Sequence, residues 1–233
     1  FGWFAFNGGP AMGANNLAAI ALATTAVASG AAAFAWIIFD ALRGKKPSAM
    51  GTSIGAVVGL VAITPAAGFV SLPHALVIGV VASLVSNLMV EWRTRTSIDD
   101  TLDVFPCHGI GGMVGMLMTG VFASKAIYAG GSDGWAYGNF SFLLTQLKAM
   151  GAAVGYSFVV SFVIFKFINF IVPLRVSDKE EEEGLDASQH DEKYLQGTLL
   201  VATQEGLVEK EVLVEQTFTT VKSENGLAKE SVH

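Results

Sequence analysis

The stretch PSAMGTSIGAVVGLVAITPAAGFVSLPHALVIGVVASLVSNLMV, Pro47 to Val90, runs for 44 residues without a formal charge. A bilayer core takes about 20 apolar residues per helix, so this run holds two membrane spans. The break belongs between Gly68 and Pro73, where Gly and Pro punctuate the pattern. Working outward, Leu17 to Phe39 is uncharged over 23 residues, Val104 to Ser124 over 21 and Ala149 to Phe165 over 17. The last extends past Lys166 to about Val172. Five complete spans are expected, near 16–42, 48–67, 73–92, 104–124 and 145–172.

The composition agrees. The 233 residues are 52% hydrophobic and 15% charged, where soluble domains run about a quarter charged. Phe1 to Ile171 carries 8 Lys/Arg against 6 Asp/Glu, a net of +2, and Val172 to His233 carries 6 against 14, a net of −8. The acidity therefore belongs to the tail. No basic stripe exists for nucleic acid. One cysteine excludes a disulfide framework and a multi-cysteine metal site. The spans hold no paired carboxylates, metal cluster or nucleophile–base set, which argues against an enzyme and against a cofactor.

Phe1 to Phe6 is apolar throughout, with three Phe and one Trp. Six helical residues cover about 9 Å, so residues 1–9 read as the end of a sixth span that begins before this chain, and the chain reads as a fragment. Positive charge marks the cytoplasmic side. Arg43, Lys45 and Lys46 follow the first complete span, Arg93 and Arg95 the third, and Arg175 and Lys179 the last, while the turn Gly68 to His74 has none. The acidic tail, 173–233, is then cytoplasmic, and Trp135, Tyr137 and Phe140 lie in an outer loop suited to the membrane interface.

Gly51, Gly55 and Gly59 recur at i, i+4 and i+8, and Gly111 and Gly115 repeat the spacing, with Gly112 beside them. Such small-residue stripes let helices approach closely. The chemistry concentrates in DDTLDVFPCHGIGGMVGMLMTG, Asp99 to Gly120. His108 falls inside an apolar span, where an ionisable group is costly and by default functional. Burial favours a neutral imidazole with one donor and one acceptor, fit to bond a small neutral solute or relay a proton. A histidine bonded to a neighbouring backbone carbonyl is the competing reading. Asp99 and Asp100 suit the helix N-terminus, and Asp103 suits holding a neighbouring segment. Pro106 is expected to free carbonyls near Leu102. Cys107 points away from His108, so the two form no reactive pair. His74, beside Pro73, is expected to be solvated, and His190 and His233 lie in the tail.

Taken together, FGWFAFNGGPAMGANNLAAIAL (Phe1 to Leu22), GKKPSAMGTSIGAVVGLVAITPAAGFV (Gly44 to Val70), DDTLDVFPCHGIGGMVGMLMTGVF (Asp99 to Phe122) and GLDASQHDEKY (Gly184 to Tyr194) resemble the second half of ammonium transporters of the Amt family. The resemblance implies an all-α membrane protein: the second half of an eleven-helix fold with inverted repeats, plus a cytoplasmic tail. It implies a homotrimer in the plasma or inner membrane, with one hydrophobic pore per subunit. Phe6 would be the inner member of a phenylalanine gate and His108 the second of two pore histidines. Val104 and Val57 match pore-wall positions, and Asp103 stands at the cytoplasmic end. The implied function is ammonium transport, with the cation recruited outside and deprotonated before ammonia crosses. A sensor of the same fold and a Rh-type gas channel are the alternatives.

Two departures stand out. Ala5 replaces a frequent glycine, and Pro10 stands where the family often has a serine at the outer cation site. In the tail, Asp191 takes the place of a common glycine, so the local turn is expected to differ. Leu195 onward extends beyond the resemblance. GLVEKEVLVEQ suits a strand or an amphipathic helix, and the extension is either a docking site for a PII-type regulatory protein or a disordered acidic segment.

Overall fold

The computed structural model describes residues 1–192 and the backbone of Gln196–Thr203 and Gly206–Leu213. A short helix α1 (Gly2–Gly8) and a 3-10 turn (Gly9–Ala11) lead into α2 (Asn16–Leu42). Then come α3 (Ala49–Ile63), α4 (Leu72–Thr94), a π-helical turn (Phe105–Ile110) continuous with α5 (Gly111–Phe122), and α6 (Phe140–Ile171). Among the described residues, four helices are long and apolar enough to cross a membrane: α2 with 27 residues, α4 with 23, Phe105–Phe122 with 18 and α6 with 32. At 15 residues, α3 reaches about 22 Å.

Local chemistry sets the boundaries. The side chain of Asn15 accepts from the Ala18 amide and caps α2, and Ser48 does the same for α3 through Gly51. Such caps satisfy amides that lack an intrahelical partner. Regular helix stops at Ile63, before Pro65, which has no amide hydrogen to donate. The backbone still closes one turn, Ala67 N to Ile63 O at 2.7 Å, and reverses at Gly68, whose φ is +83°. That left-handed conformation suits glycine. At the other end of the fourth apolar run, α6 starts at Phe140, earlier than the charge pattern places it, because Lys148 lies within the helix.

The chain divides into two compact units, Phe1–Val160 and Ser161–His233. In the first, α2 is the central post. Gly55 and Gly59 of α3 and Gly79 of α4 all meet its backbone. A Cβ at Gly55 would lie 2.7 Å from Trp36 Cβ, and those at Gly59 and Gly79 would collide with the Ala28 carbonyl. Ser83 donates to Ala32 O at 2.8 Å and Ser29 to Ala56 O at 3.1 Å, tying the three helices together. Gly115 in turn sets α5 against Ala62 of α3. The core is Ala28, Trp36, Val58, Ala62, Ile63, Ile78 and Ala82.

At the basic end, Glu91 of α4 pairs with Arg43, Lys45 and Arg95, which fastens the α2–α3 loop. At the opposite end His74 is half-buried, not solvated. It lies flat on Phe122, centroids 4.5 Å apart, and meets Tyr137 edge-on, while Ser71 Oγ sits 2.9 Å from Nδ1. Stacking on a ring carried by α5 covers a side chain that its neighbours in sequence leave open.

In the second unit, α7 (Asp178–Glu183) and α8 (Leu185–His190) fold on each other through Glu180, which accepts from Gln189 Nε2 at 2.9 Å. Asp191 keeps a left-handed conformation, φ 53°, so the turn expected to differ retains the geometry a glycine would take. β1 (Gln196–Thr203) and β2 (Gly206–Leu213) pair antiparallel, Gln196 opposite Leu213. The expected strand-or-helix segment is thus strand through Leu213. The rest of it, and residues 195, 204–205 and 214–233 of the extension on which the docking expectation for 195–233 rests, fall outside the described residues.

Candidate functional site

The site is assembled around Trp3. Its helix, α1, is pinned to α2 by Asn7, whose Nδ2 donates to Thr25 Oγ1 at 3.0 Å, with both residues buried. From that anchor Trp3 reaches to the end of α3. Its indole Nε1 donates to Thr64 Oγ1 at 2.8 Å, and the Thr64 hydroxyl donates to Leu60 O at 2.8 Å. The same indole lies near-parallel to the His108 imidazole, centroids 6.4 Å apart and planes 25° apart, and meets Phe6 edge-on at 5.9 Å. These separations fall in the range of aromatic pairing. Two segments distant in sequence therefore present one aromatic face, and a third, the end of α3, anchors it through Thr64.

His108 sits in the π-helical turn Phe105–Ile110. Widened turns of this kind are rare and recur at functional sites. Asp100 organises the entry: Oδ1 accepts from Val104 N at 2.8 Å and Oδ2 from Phe105 N at 2.9 Å. Gly109 leaves room for the Phe105 ring, which a Cβ there would meet at 2.9 Å. Pro106 stands in the first turn, where an amide has no intrahelical partner to lose. The expected release of carbonyls near Leu102 is therefore corrected. Cys107 is buried and His108 exposed, so the two point apart.

Among the described residues His108 is exposed and covered on one side by Trp3, and its imidazole makes no hydrogen bond, to a neighbouring carbonyl or otherwise. Phe6 is 64% exposed and Val104, one turn before His108, 51%. Val57 is half-buried on α3, two turns before Thr64 and on the same helical face. Asp103 lies at the basic end. It takes a left-handed backbone, φ 52°, and its Oδ1 accepts from Arg93 Nε at 3.0 Å and Nη2 at 2.5 Å, holding the turn to α4.

A model of the Ammonium Transporter Family matches residues 1–194. The chain belongs to the ammonium transporter family. It is 42% identical over 192 residues to the ammonium transporter Amt1 of Archaeoglobus fulgidus, covering 82% of this chain and 48% of that protein. To the ammonium transporter of Aquifex aeolicus it is 46% identical over 194 residues, 83% of this chain and 45% of that one. The chain thus spans about half the length of the curated relatives it matches. Among solved structures, Saccharomyces cerevisiae Mep2 superposes with a TM-score of 0.75 at 37% identity, over 81% of this chain and 44% of the other. A protein described as a sensor Amt protein superposes with a TM-score of 0.69 at 27% identity, over 81% and 46%.

This ammonium transporter family member is accordingly a multi-pass membrane protein of a transport family, not of an enzyme family. Its Pro10 stands exposed in the 3-10 turn Gly9–Ala11. Trp3 and Thr64 are the site residues that sequence reasoning passed over. Trp3 reads as one more aromatic in an apolar stub, and the position of Thr64 immediately before Pro65, at a helix end, was the available signal.

Proposed function

We propose that the protein conducts ammonium as ammonia through a hydrophobic pore whose wall includes Phe6, His108, Val104 and Val57. The observation that carries the reading is the near-parallel pair of Trp3 and His108 at 6.4 Å, which joins the GWFAFN stub to the DVFPCHG turn in one site. The names of the relatives supply the substrate. An ammonium ion carries a large desolvation cost in an apolar conduit, so the path favours ammonia. Recruitment needs the cation, which aromatic faces attract. Potassium has no proton to lose, so deprotonation at the mouth provides selectivity. Phe6 gates the entrance, and the imidazole offers passing ammonia one donor and one acceptor.

On this reading the end bearing Arg43, Arg93 and Arg95 is cytoplasmic by the positive-inside rule, and Asp103 braces the pore's inner end. The tail lies on the same side, open to a PII-type regulator, and three subunits assemble with one pore each. The likeness to a sensor Amt protein supports a second reading, in which the same pore reports ammonium to a partner. His108→Ala in the complete transporter tests the pore. Ammonium flux or its selectivity over potassium should change, and wild-type values for both would sink the assignment. Signalling that survives loss of flux would favour the sensor.

A further inference from the structure

We infer that Thr64 is a positioning residue for conduction, acting through Trp3 on the face that His108 presents. The inference rests on the pore reading above and adds to it a residue that contacts neither imidazole nor solute. Thr64 is fixed in both roles of its hydroxyl. Its proton goes to Leu60 O at 2.8 Å, so toward Trp3 the oxygen can only accept, and the indole Nε1 meets it at 2.8 Å. A hydroxyl committed in this way is a directional acceptor at a set point in space.

The consequence lies in what the indole turns toward His108. Its ring plane lies 25° from that of the imidazole, so it offers the histidine a π-face, while its N–H is tied off on α3. Released from Thr64, the indole N–H becomes a free donor at the edge of an apolar path. Ammonia is an acceptor, and so is one nitrogen of a neutral imidazole. A free N–H would hold the solute or engage the histidine, and either slows passage. Recruitment outside would be untouched. Asn7 anchors α1 through a separate hydrogen bond, to Thr25, so Thr64 orients the ring without carrying the helix.

The test uses the complete transporter carrying this chain, with Thr64→Val to remove the acceptor at equal volume and Thr64→Ser to restore it. Ammonium uptake against concentration should show T64V with a maximal rate lower by about fivefold, the worth of one hydrogen bond. Its half-saturation should stay within about twofold, and T64S should return near wild type. In an H108A background T64V should add nothing. The chain has four tryptophans, so the indole 15N–H resonance of Trp3, assigned with W3F, should move upfield in T64V and stay in place in T64S.

A wild-type rate in T64V beside an impaired H108A would overturn this role and leave the pore reading standing. Equal impairment of T64V and T64S would overturn it too, by reducing Thr64 to a volume. Wild-type flux and wild-type selectivity over potassium in H108A would remove the pore reading itself and this role with it, even where the Trp3 resonance still answers to Thr64.

Discussion

Asn87 of α4 donates its Nδ2 to Asp40 Oδ1 of α2 at 2.9 Å, with both side chains buried in the helix bundle. The carbonyl oxygen of Asn87 and the hydroxyl of Ser86 have no hydrogen-bond partner among the described residues, so this bond is the satisfied part of an otherwise costly polar patch. Asp40→Ala leaves the amide without its acceptor and should destabilise the protein by about 2–3 kcal/mol. Asp40→Asn keeps an acceptor and should cost about half as much. Thermal unfolding in detergent measures both. An alanine variant that melts with the wild type would show the bond to be immaterial.

The fold was legible wherever one segment speaks for itself. Charge-free runs are local, so Pro47 to Val90 announces two spans. What stayed hidden depends on partners far along the chain. Trp3 and Thr64 are 61 residues apart, and Asp40 and Asn87 are 47 apart. No periodicity encodes which helices face each other. His74 reads as solvated from its place at a turn beside Pro73, while the ring that covers it, Phe122, arrives from the end of α5. The π-helical turn at His108 changes hydrogen-bond register without changing the apolar pattern. Of the site, the motif residues were legible, and the indole that joins them was not.

Close approach of α3 to α2 gives a sharper test of packing. A Cβ on Gly59 would collide with the Ala28 carbonyl and lie 2.7 Å from Ala32 Cβ. Backbone cannot yield as a flexible side chain does, so Gly59→Ala must push the helices apart, at about 1–3 kcal/mol. Gly30, on α2 itself, has nothing within 4 Å of a built Cβ. Gly30→Ala should be neutral or gain up to about 1 kcal/mol from helix propensity. In one detergent Gly59→Ala should lower the melting temperature while Gly30→Ala leaves it unchanged or raises it, and a Gly59→Ala variant melting with the wild type would contradict the packing assigned to Gly59.

In the tail, Asp191 ends α8 with φ 53° and donates its amide to Ala187 O at 3.1 Å. A side chain in this region costs about 1 kcal/mol or more, less for Asp than for most residues. Asp191→Gly removes that cost but adds freedom to the unfolded chain. The net should be a slower amide hydrogen exchange across Leu185–His190 in the full protein. Faster exchange would mean that the aspartate side chain, not the backbone conformation, holds the end of the helix.

Glu180 sets the acid limit of the same tail. Its carboxylate accepts from the Ser177 hydroxyl at 2.7 Å and the Ser177 amide at 2.9 Å, while Ser177 Oγ accepts from the Glu180 amide. These bonds, the hydroxyl's first, hold the carboxyl below the ordinary glutamate value of 4.5 against an opposing effect of burial, with Gln189 adding a lesser contribution to them. A carboxyl depressed in the folded state contributes stability that is fully present above its unfolded value and lost as the pH falls through the folded one. The capping box at Ser177 should therefore be intact at neutral pH and open on acidification below about 4.5. Amide exchange at Glu180 and Glu181 should rise over that window in the full protein. Ser177→Ala should flatten the profile by raising exchange at neutral pH, because the hydroxyl's bonds to the Glu180 carboxylate and from the Glu180 amide are lost and only the Ser177 amide remains on the carboxylate. A steep acid transition surviving in that variant would assign the pH dependence to the neighbouring run Glu181–Glu183 instead.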